Sequence, residues 1–525
     1  MNYQSLGFLC FAAVVMAVYY TIGRKRQTAV IAFANLAFYA IVDPVHLPFL
    51  TAVLLGSFFA ARRIGRIYRE ADQKLAGCAE SAQKKQIRAE AGKRAKKALY
   101  AGMAVGIVLL AVGKYTAFAM ENLNAVLGLF GLPGLTVFRM VMPLGISFYV
   151  FMAIGYLLDV YWKRYPAEDG FVKYAAYLAW FPHVIQGPID RYNEFSAQLR
   201  SGVPFSAENL ASGAQLALWG FFKKLVIADR LAILVNAAFA SPEMFAGFPM
   251  IASLAAYSVQ IYADFSGCID IVTGVSEMFG IHLRKNFNHP YFSRSMGEFW
   301  RRWHISLQEW FKDYVYFPVS TSNFVKTARR SWMKRGKPRA AEILTSCFPI
   351  FVVWLISGIW HGAAWKFVIW GMFHAALLIG SNLLEPAFAA ANRTLRVRTS
   401  CAAWRGWQML RTFALCCIGR VFFRAENMAA AASVFRCMGR FEFTLSGILG
   451  PLAWSMSIEN IIVSACSVLV LIAVDAVQER TRIRPALAQR GIALRWGLIY
   501  LCLFAVLIFG MYGKGYGSAF IYEQF

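Results

Sequence analysis

Apolar residues run in blocks of roughly 20 along this chain, the length that crosses a hydrocarbon layer as an α-helix, and lysine and arginine cluster between the blocks. The blocks lie near residues 6–22, 29–42, 48–61, 98–118, 145–162, 175–184, 211–233, 251–278, 343–360, 364–384, 407–421, 461–477 and 496–511. Strand-like alternation is weak. In lipid every backbone N–H and C=O must be bonded inside the protein, so the pattern predicts helices over a barrel. Counted this way, the chain is an all-α polytopic membrane protein with about 10–13 crossings. Proline and glycine interrupt the apolar run near residues 123–141 and 181–188. Both stretches are expected as re-entrant or broken elements, tolerated only where they are buried in protein or line a cavity.

Composition agrees with a membrane chain. Of 525 residues, 58% are hydrophobic and 16% charged, against about half and about a quarter in soluble domains. The net charge of +26 sits between the apolar blocks: in residues 62–97, in 326–339, and in smaller groups at 24–26, 393–398 and 480–484. The positive-inside rule places these loops in the cytoplasm and the N-terminus outside. The basic charge therefore reads as a topology signal that also meets anionic lipid, not as a nucleic-acid surface. Residues 62–97 are rich in Ala, Lys, Gln and Glu and are expected to be helical. Of ten cysteines, Cys10, Cys268, Cys416, Cys417, Cys466 and Cys502 fall in apolar runs and read as small buried hydrophobes. The first block lacks a basic lead and a clear cleavage site, so it is expected as a retained span. No internal repeat is visible. The expectation is one membrane domain over 1–525: N-terminal spans in 1–141, a chemically unusual core in 142–384, and further spans in 385–525.

Four segments of the core put chemistry at membrane depth. Residues 291–318, YFSRSMGEFWRRWHISLQEWFKDYVYFP, have Ser295 and Glu298 at capping-box spacing, which starts a helix at Met296. Trp300, Trp303, Leu307, Trp310, Phe311 and Tyr314 then form one aromatic face, with Arg302 opposite, His304 at its edge and Pro318 as the stop. Such a helix also fits a simple interfacial anchor. Residues 348–373, FPIFVVWLISGIWHGAAWKFVIWGMF, embed His361 in apolar sequence between Gly358 and Gly362. Small residues let another helix approach. A buried histidine stays neutral, which suits a general base; a structural histidine bonded across helices is the other reading. His374 reads as structural. In 257–288, Asp264 and Asp270 are six apart and project from different faces, so each is expected to pair with an Arg, a Trp N–H or a backbone group. The fourth segment, 181–195 (FPHVIQGPIDRYNEF), is the broken element. No phosphate loop, nucleophile elbow or HExxH motif is present. Neither a metal site nor a tightly bound cofactor is expected.

Residues 147–162 (SFYVFMAIGYLLDVYW), 181–195, 264–318 and 357–374 (SGIWHGAAWKFVIWGMFH) together resemble the membrane-bound O-acyltransferases, in the bacterial branch that modifies cell-surface polymers. WRRWHISL and SGIWHG are specific as a pair. The resemblance implies a bundle with interfacial and broken helices around a central passage that two histidines approach. On this chain they are His361, as general base, and His304, whose position is Asn in some relatives, as a catalytic or orienting partner. Trp303, Trp360, Asp264 and Arg302 are the candidate substrate-binding residues, with the indole N–H of Trp303 or Trp360 as an oxyanion donor. VFFRAENM at 421–428 and IYEQF at 521–525 resemble the alginate O-acetylation type more than the D-alanyl-lipoteichoic acid transfer proteins. The implied reaction moves an acyl group, acetyl foremost, from acetyl-CoA or an acyl carrier. The acceptor is a hydroxyl on a surface polymer or on a secreted or membrane-anchored partner protein. The implied location is the bacterial cytoplasmic membrane. D-alanyl transfer to teichoic acid and a non-enzymatic transporter or scaffold are the alternatives.

Overall fold

A computed structural model of the chain describes residues 3–199, 202–512 and 520; the tail motif 521–525 lies outside them. The described residues are helical, and the one strand-like pairing among them is an isolated antiparallel bridge between Phe287 and Trp303. Six helices are long and apolar enough to cross a bilayer: Pro44–Ala76, Ser81–Leu129, Pro338–His361, Trp365–Leu383, Ile458–Gln478 and Ile492–Phe509. The last of these buries only 6% of its apolar window. Its outward leucines, isoleucines and phenylalanines form the apolar surface that a lipid contact requires. The chain is an all-α polytopic membrane protein. Of the other expected spans, 6–22 and 145–162 appear as the 16-residue helices Leu6–Thr21 and Ile146–Tyr161.

Contacts divide the chain into two compact units, residues 1–214 with 272–284, and residues 215–271 with 285–525. In the first unit Leu47–Ala76 and Ser81–Leu129 pack as a helical hairpin closed by a short turn. The basic stretch 62–97 is thus helical, as its composition predicts. The predicted re-entrant element at 123–141 is corrected. Residues 123–129 finish the 49-residue helix, and Leu132 N and Gly131 N close it on the carbonyls of Leu127 and Gly128 in a Schellman arrangement. The chain beyond it is non-helical and mostly exposed.

The apolar block 175–184 does not form a span. The helix Phe171–Leu178 has eight residues, and the chain then runs as buried turns to residue 191. Pro182 and Pro188 lack the N–H that a continued helix needs. The freed backbone finds partners inside the unit. Asn35 Oδ1 accepts from Phe181 N at 2.9 Å, and Tyr3 Oη accepts from Ile185 N at 3.1 Å. This is the broken, protein-buried element that the sequence predicts.

In the second unit the residues of WRRWHISL do not form one helix. Met296–Arg302 starts where expected, with the Ser295 hydroxyl accepting from Glu298 N. It breaks at Trp303 and His304, restarts as Ile305–Phe311, and widens into a π-turn at Lys312–Tyr316. Pro318 does not stop it: it enters the short turn Phe317–Ser320 near its N-terminus, where a missing N–H is tolerated. Further on, Pro338–His361 and Trp365–Leu383 form a hairpin. A Cβ on Gly358 would stand 2.5 Å from the Phe367 carbonyl oxygen. One on Gly371 would overlap the Trp354 carbonyl oxygen and come within 3.2 Å of Gly358 Cα. The two backbones touch there, as the small residues predict. Gly371→Val should force them apart at a cost of about 1–3 kcal/mol or more, read as a lower melting temperature of the detergent-solubilised protein. Unchanged melting would show that the contact is not tight.

Candidate active site

The break that interrupts WRRWHISL is held by the backbone and side chain of the segment around Asn286. Trp303 is extended, and His304 has φ 49° and ψ 52°, the left-handed region that non-glycine residues seldom enter. Such a conformation costs roughly 1–2 kcal/mol and persists only where the surroundings determine it. Asn286 does so. Its carbonyl oxygen accepts from Ser306 N at 3.2 Å and the Ser306 hydroxyl at 2.9 Å, and His304 Nδ1 lies 3.1 Å away. Its own backbone carbonyl accepts from Ile305 N at 2.9 Å. A backbone N–H can only donate, so the Asn286 atom facing Ser306 N is the oxygen. His304 Nδ1 must therefore be the donor, which leaves the ring's lone pair on Nε2. Burial lowers the His304 pKa from 6.5 to about 3, so the imidazole is neutral.

His361 is the last residue of Pro338–His361 and is buried. Its ring packs edge-on against Trp360, Trp370 and Phe423, with centroids at 4.7, 4.8 and 5.3 Å. His304 packs on Phe265 at 4.8 Å and also reaches Trp360 at 6.2 Å. Trp360 thus contacts both histidines. Trp303 belongs to the same aromatic mass, packed on Tyr262, Phe287, Tyr291 and Phe299. The Arg420 guanidinium lies 4.5 Å from its ring.

The two charged candidates lie in other networks of the second unit. Arg302 pairs with Glu298 at 2.8 Å and with Glu479. Asp264 pairs with Lys224 Nζ at 2.7 Å, and the same ammonium meets Asp229 at 2.9 Å. Asp270 pairs with Lys223 at 2.7 Å. Both aspartates are paired, as expected, here with adjacent lysines of a π-turn, Phe222–Ala228. Helix contact explains the reach. A Cβ on Gly220 would stand 2.6 Å from the Gly267 carbonyl oxygen, so the two helices meet backbone to backbone. Among the described residues no three His, Cys, Asp or Glu side chains come together as a metal-binding group. In the first unit, His183 lies beside Asp190 at 3.2 Å in the broken element.

Sequence reasoning missed Asn286, which stands 18 residues before His304 and carries no motif. It missed Lys223 and Lys224, hidden in an apolar block, and the packing of Trp370 and Phe423 on His361, although both lie in segments that carry the resemblance.

The sequence residues 166–331 match the model of the MBOAT, membrane-bound O-acyltransferase family. That stretch contains His304 and ends before His361. A probable alginate O-acetylase from Azotobacter vinelandii is 32% identical over 455 residues, covering 86% of this chain and 81% of the relative. A peptidoglycan O-acetyltransferase from Helicobacter pylori is 29% identical, over 77% of this chain and 72% of its own. A teichoic acid D-alanyltransferase from Bacillus subtilis is 29% identical over 46% of this chain and 59% of its own. The chain belongs to the membrane-bound O-acyltransferase family and is an acyl-transferring enzyme. Within that family it is homologous to the alginate O-acetylases along most of its length.

The lysine cluster gives a stability test. Lys224→Met leaves two buried carboxylates without their shared cation and should cost about 3–5 kcal/mol, read as loss of folded protein from membranes. Asp264→Asn should cost less, because Asp229 still neutralises Lys224. Equal effects of the two changes would contradict the shared-cation geometry.

Proposed function

We propose that this enzyme transfers a short acyl group, acetyl in the first instance, from a cytosolic thioester donor to a hydroxyl of a cell-surface polysaccharide or of a partner protein that acylates it. His361 is the general base. The donor is acetyl-CoA or an acyl carrier, and the basic loops that face it attract an anionic molecule. The observation that carries this reading is the pair of buried imidazoles packed on one indole, Trp360.

The acceptor oxygen attacks the thioester carbonyl carbon while its proton passes to His361. The C–S bond then breaks, and the leaving thiolate takes a proton back from the imidazolium. One ester and one free thiol result, and the histidine is restored. A base must be neutral at the working pH to accept that proton. His304 is neutral, with its lone pair on Nε2, and holds a neighbouring O–H of a sugar acceptor in line. Trp360, packed on both imidazoles, keeps the two rings in place. Asp264 and Arg302, each in an ion pair, act by shaping the second unit. The enzyme sits in the bacterial cytoplasmic membrane with the N-terminus outside and the basic stretches in the cytoplasm.

His361→Ala and, separately, His361→Gln should reduce polymer ester to the level of cells lacking the protein, at unchanged membrane amounts. The reading is wrong if either variant esterifies normally, since a transporter or scaffold does not need an imidazole. Reporter fusions within 62–97 should be active only with a cytoplasmic reporter; activity of a periplasmic reporter would invert the orientation.

A further inference from the structure

A small cavity of about 20 Å³ opens inside the second unit, walled by Trp300, Trp303, Trp370, His374, Cys416 and Arg420, with Ile261 and two phenylalanines closing it. Two of its wall residues, Trp370 and Phe423, are the rings that pack on His361 at 4.8 and 5.3 Å. The cavity and the proposed base therefore share two walls, Trp370 and Phe423. A space of this size takes one or two water-sized groups, since about 10–15 Å³ admits a single water. It is too small for a long chain.

The walls are apolar apart from a few nitrogens. Trp300 Nε1 and His374 Nδ1 are buried and make no hydrogen bond among the described residues. Buried polar atoms are nearly always paired in native proteins, and each exception calls for a ligand, a water or a catalytic use. An indole N–H can only donate, so what it awaits is an acceptor. The Arg420 guanidinium, 4.5 Å from the Trp303 ring, adds positive charge to the same wall. Donors and a cation around a site from which water is excluded favour an oxygen on which negative charge grows. Aromatic faces, Ile261 and Cys416 suit a methyl group.

We infer that this cavity is the acyl subsite: the carbonyl oxygen meets the Trp300 N–H beside Arg420 and His374, the methyl lies against Ile261 and Cys416, and the wall limits transfer to two-carbon acyl groups. The inference rests on His361 as the base, and it makes Ile261 and Cys416 the residues that set acyl length. His374, which reads as structural in the sequence, becomes a wall of the site.

The test uses the full chain in nanodiscs with acetyl-, propionyl- and butyryl-pantetheine, which carry the thioester arm common to both donor classes, and a methyl glycoside as hydroxyl acceptor. Ester formed and thiol released are measured together. Wild type should prefer acetyl over butyryl by about tenfold or more, the range that added methylenes produce in a tight pocket. Ile261→Ala should narrow that preference at least about fivefold by speeding butyryl transfer. Cys416→Ala serves as a second enlargement should Ile261→Ala fail to fold. Cys416→Phe should slow acetyl transfer about tenfold or more by filling the space. Trp300→Phe keeps the ring and removes the N–H; it should lower kcat about a hundredfold with little change in KM.

Unchanged acyl preference in the enlarged variants, or wild-type kcat in Trp300→Phe, would overturn the subsite and mark the cavity as a packing defect. His361→Ala separates this from the reading beneath it. If that variant still transfers acetyl, the base is misassigned. If it is inactive while the wall variants keep wild-type selectivity, only the subsite fails.

Discussion

Every backbone polar group that this chain takes into the membrane must find its partner inside the protein, because the surrounding lipid offers none. Helices meet that demand by themselves. Where the chain leaves the helix, other backbone groups or side chains have to supply the missing bonds. Asn35 and Tyr3 do so for the buried turns around Phe181. Asn286 does so for the break at Trp303 and His304. The second case matters for chemistry. The amide that pays for the break also fixes which nitrogen of His304 carries the proton, so folding and tautomer are settled by one oxygen atom.

The same demand governs charge. Lys224 with Asp229 and Asp264, and Lys223 with Asp270, are ion pairs in an interior where a lone charge would be costly. They depend on the close approach of two helices at Gly220 and Gly267, and on a π-turn that presents adjacent lysines. π-turns are rare and recur at functional sites; here one sits at the lysine pair and another follows His304. Around His361 the solution is aromatic. Trp360, Trp370 and Phe423 surround the imidazole with ring edges and faces.

Much of this was legible in the sequence. Blocks of apolar residues announced a helical membrane protein, and Gly358 announced a close helix contact. Pro182, Gly187 and Pro188 announced a buried break. Two motifs, WRRWHISL and SGIWHG, pointed to His304 and His361. The break inside WRRWHISL was not legible. Its aromatic spacing is that of an uninterrupted helix, and local periodicity carries no trace of a distant asparagine that rewards leaving it. Cysteine burial was readable only in part: Cys268 and Cys416 are buried, while Cys10 and Cys466 lie on the exposed surface. Apolar sequence alone does not say which side of a helix faces protein and which faces lipid.

The sequence by itself determined the solvent of this protein, its helical class and its chemical family, because hydropathy and short motifs are local properties written residue by residue. Tertiary structure decided what surrounds the histidines. It brought Trp360 against His304 and Phe423 against His361, set the His304 tautomer through Asn286, answered Asp264 with a lysine forty residues away, and put His374 and Arg420 into the wall of a cavity that also includes Phe423. Each of these depends on groups distant in sequence meeting at van der Waals or hydrogen-bond range, and such meetings are set by how helices pack, not by spacing along the chain.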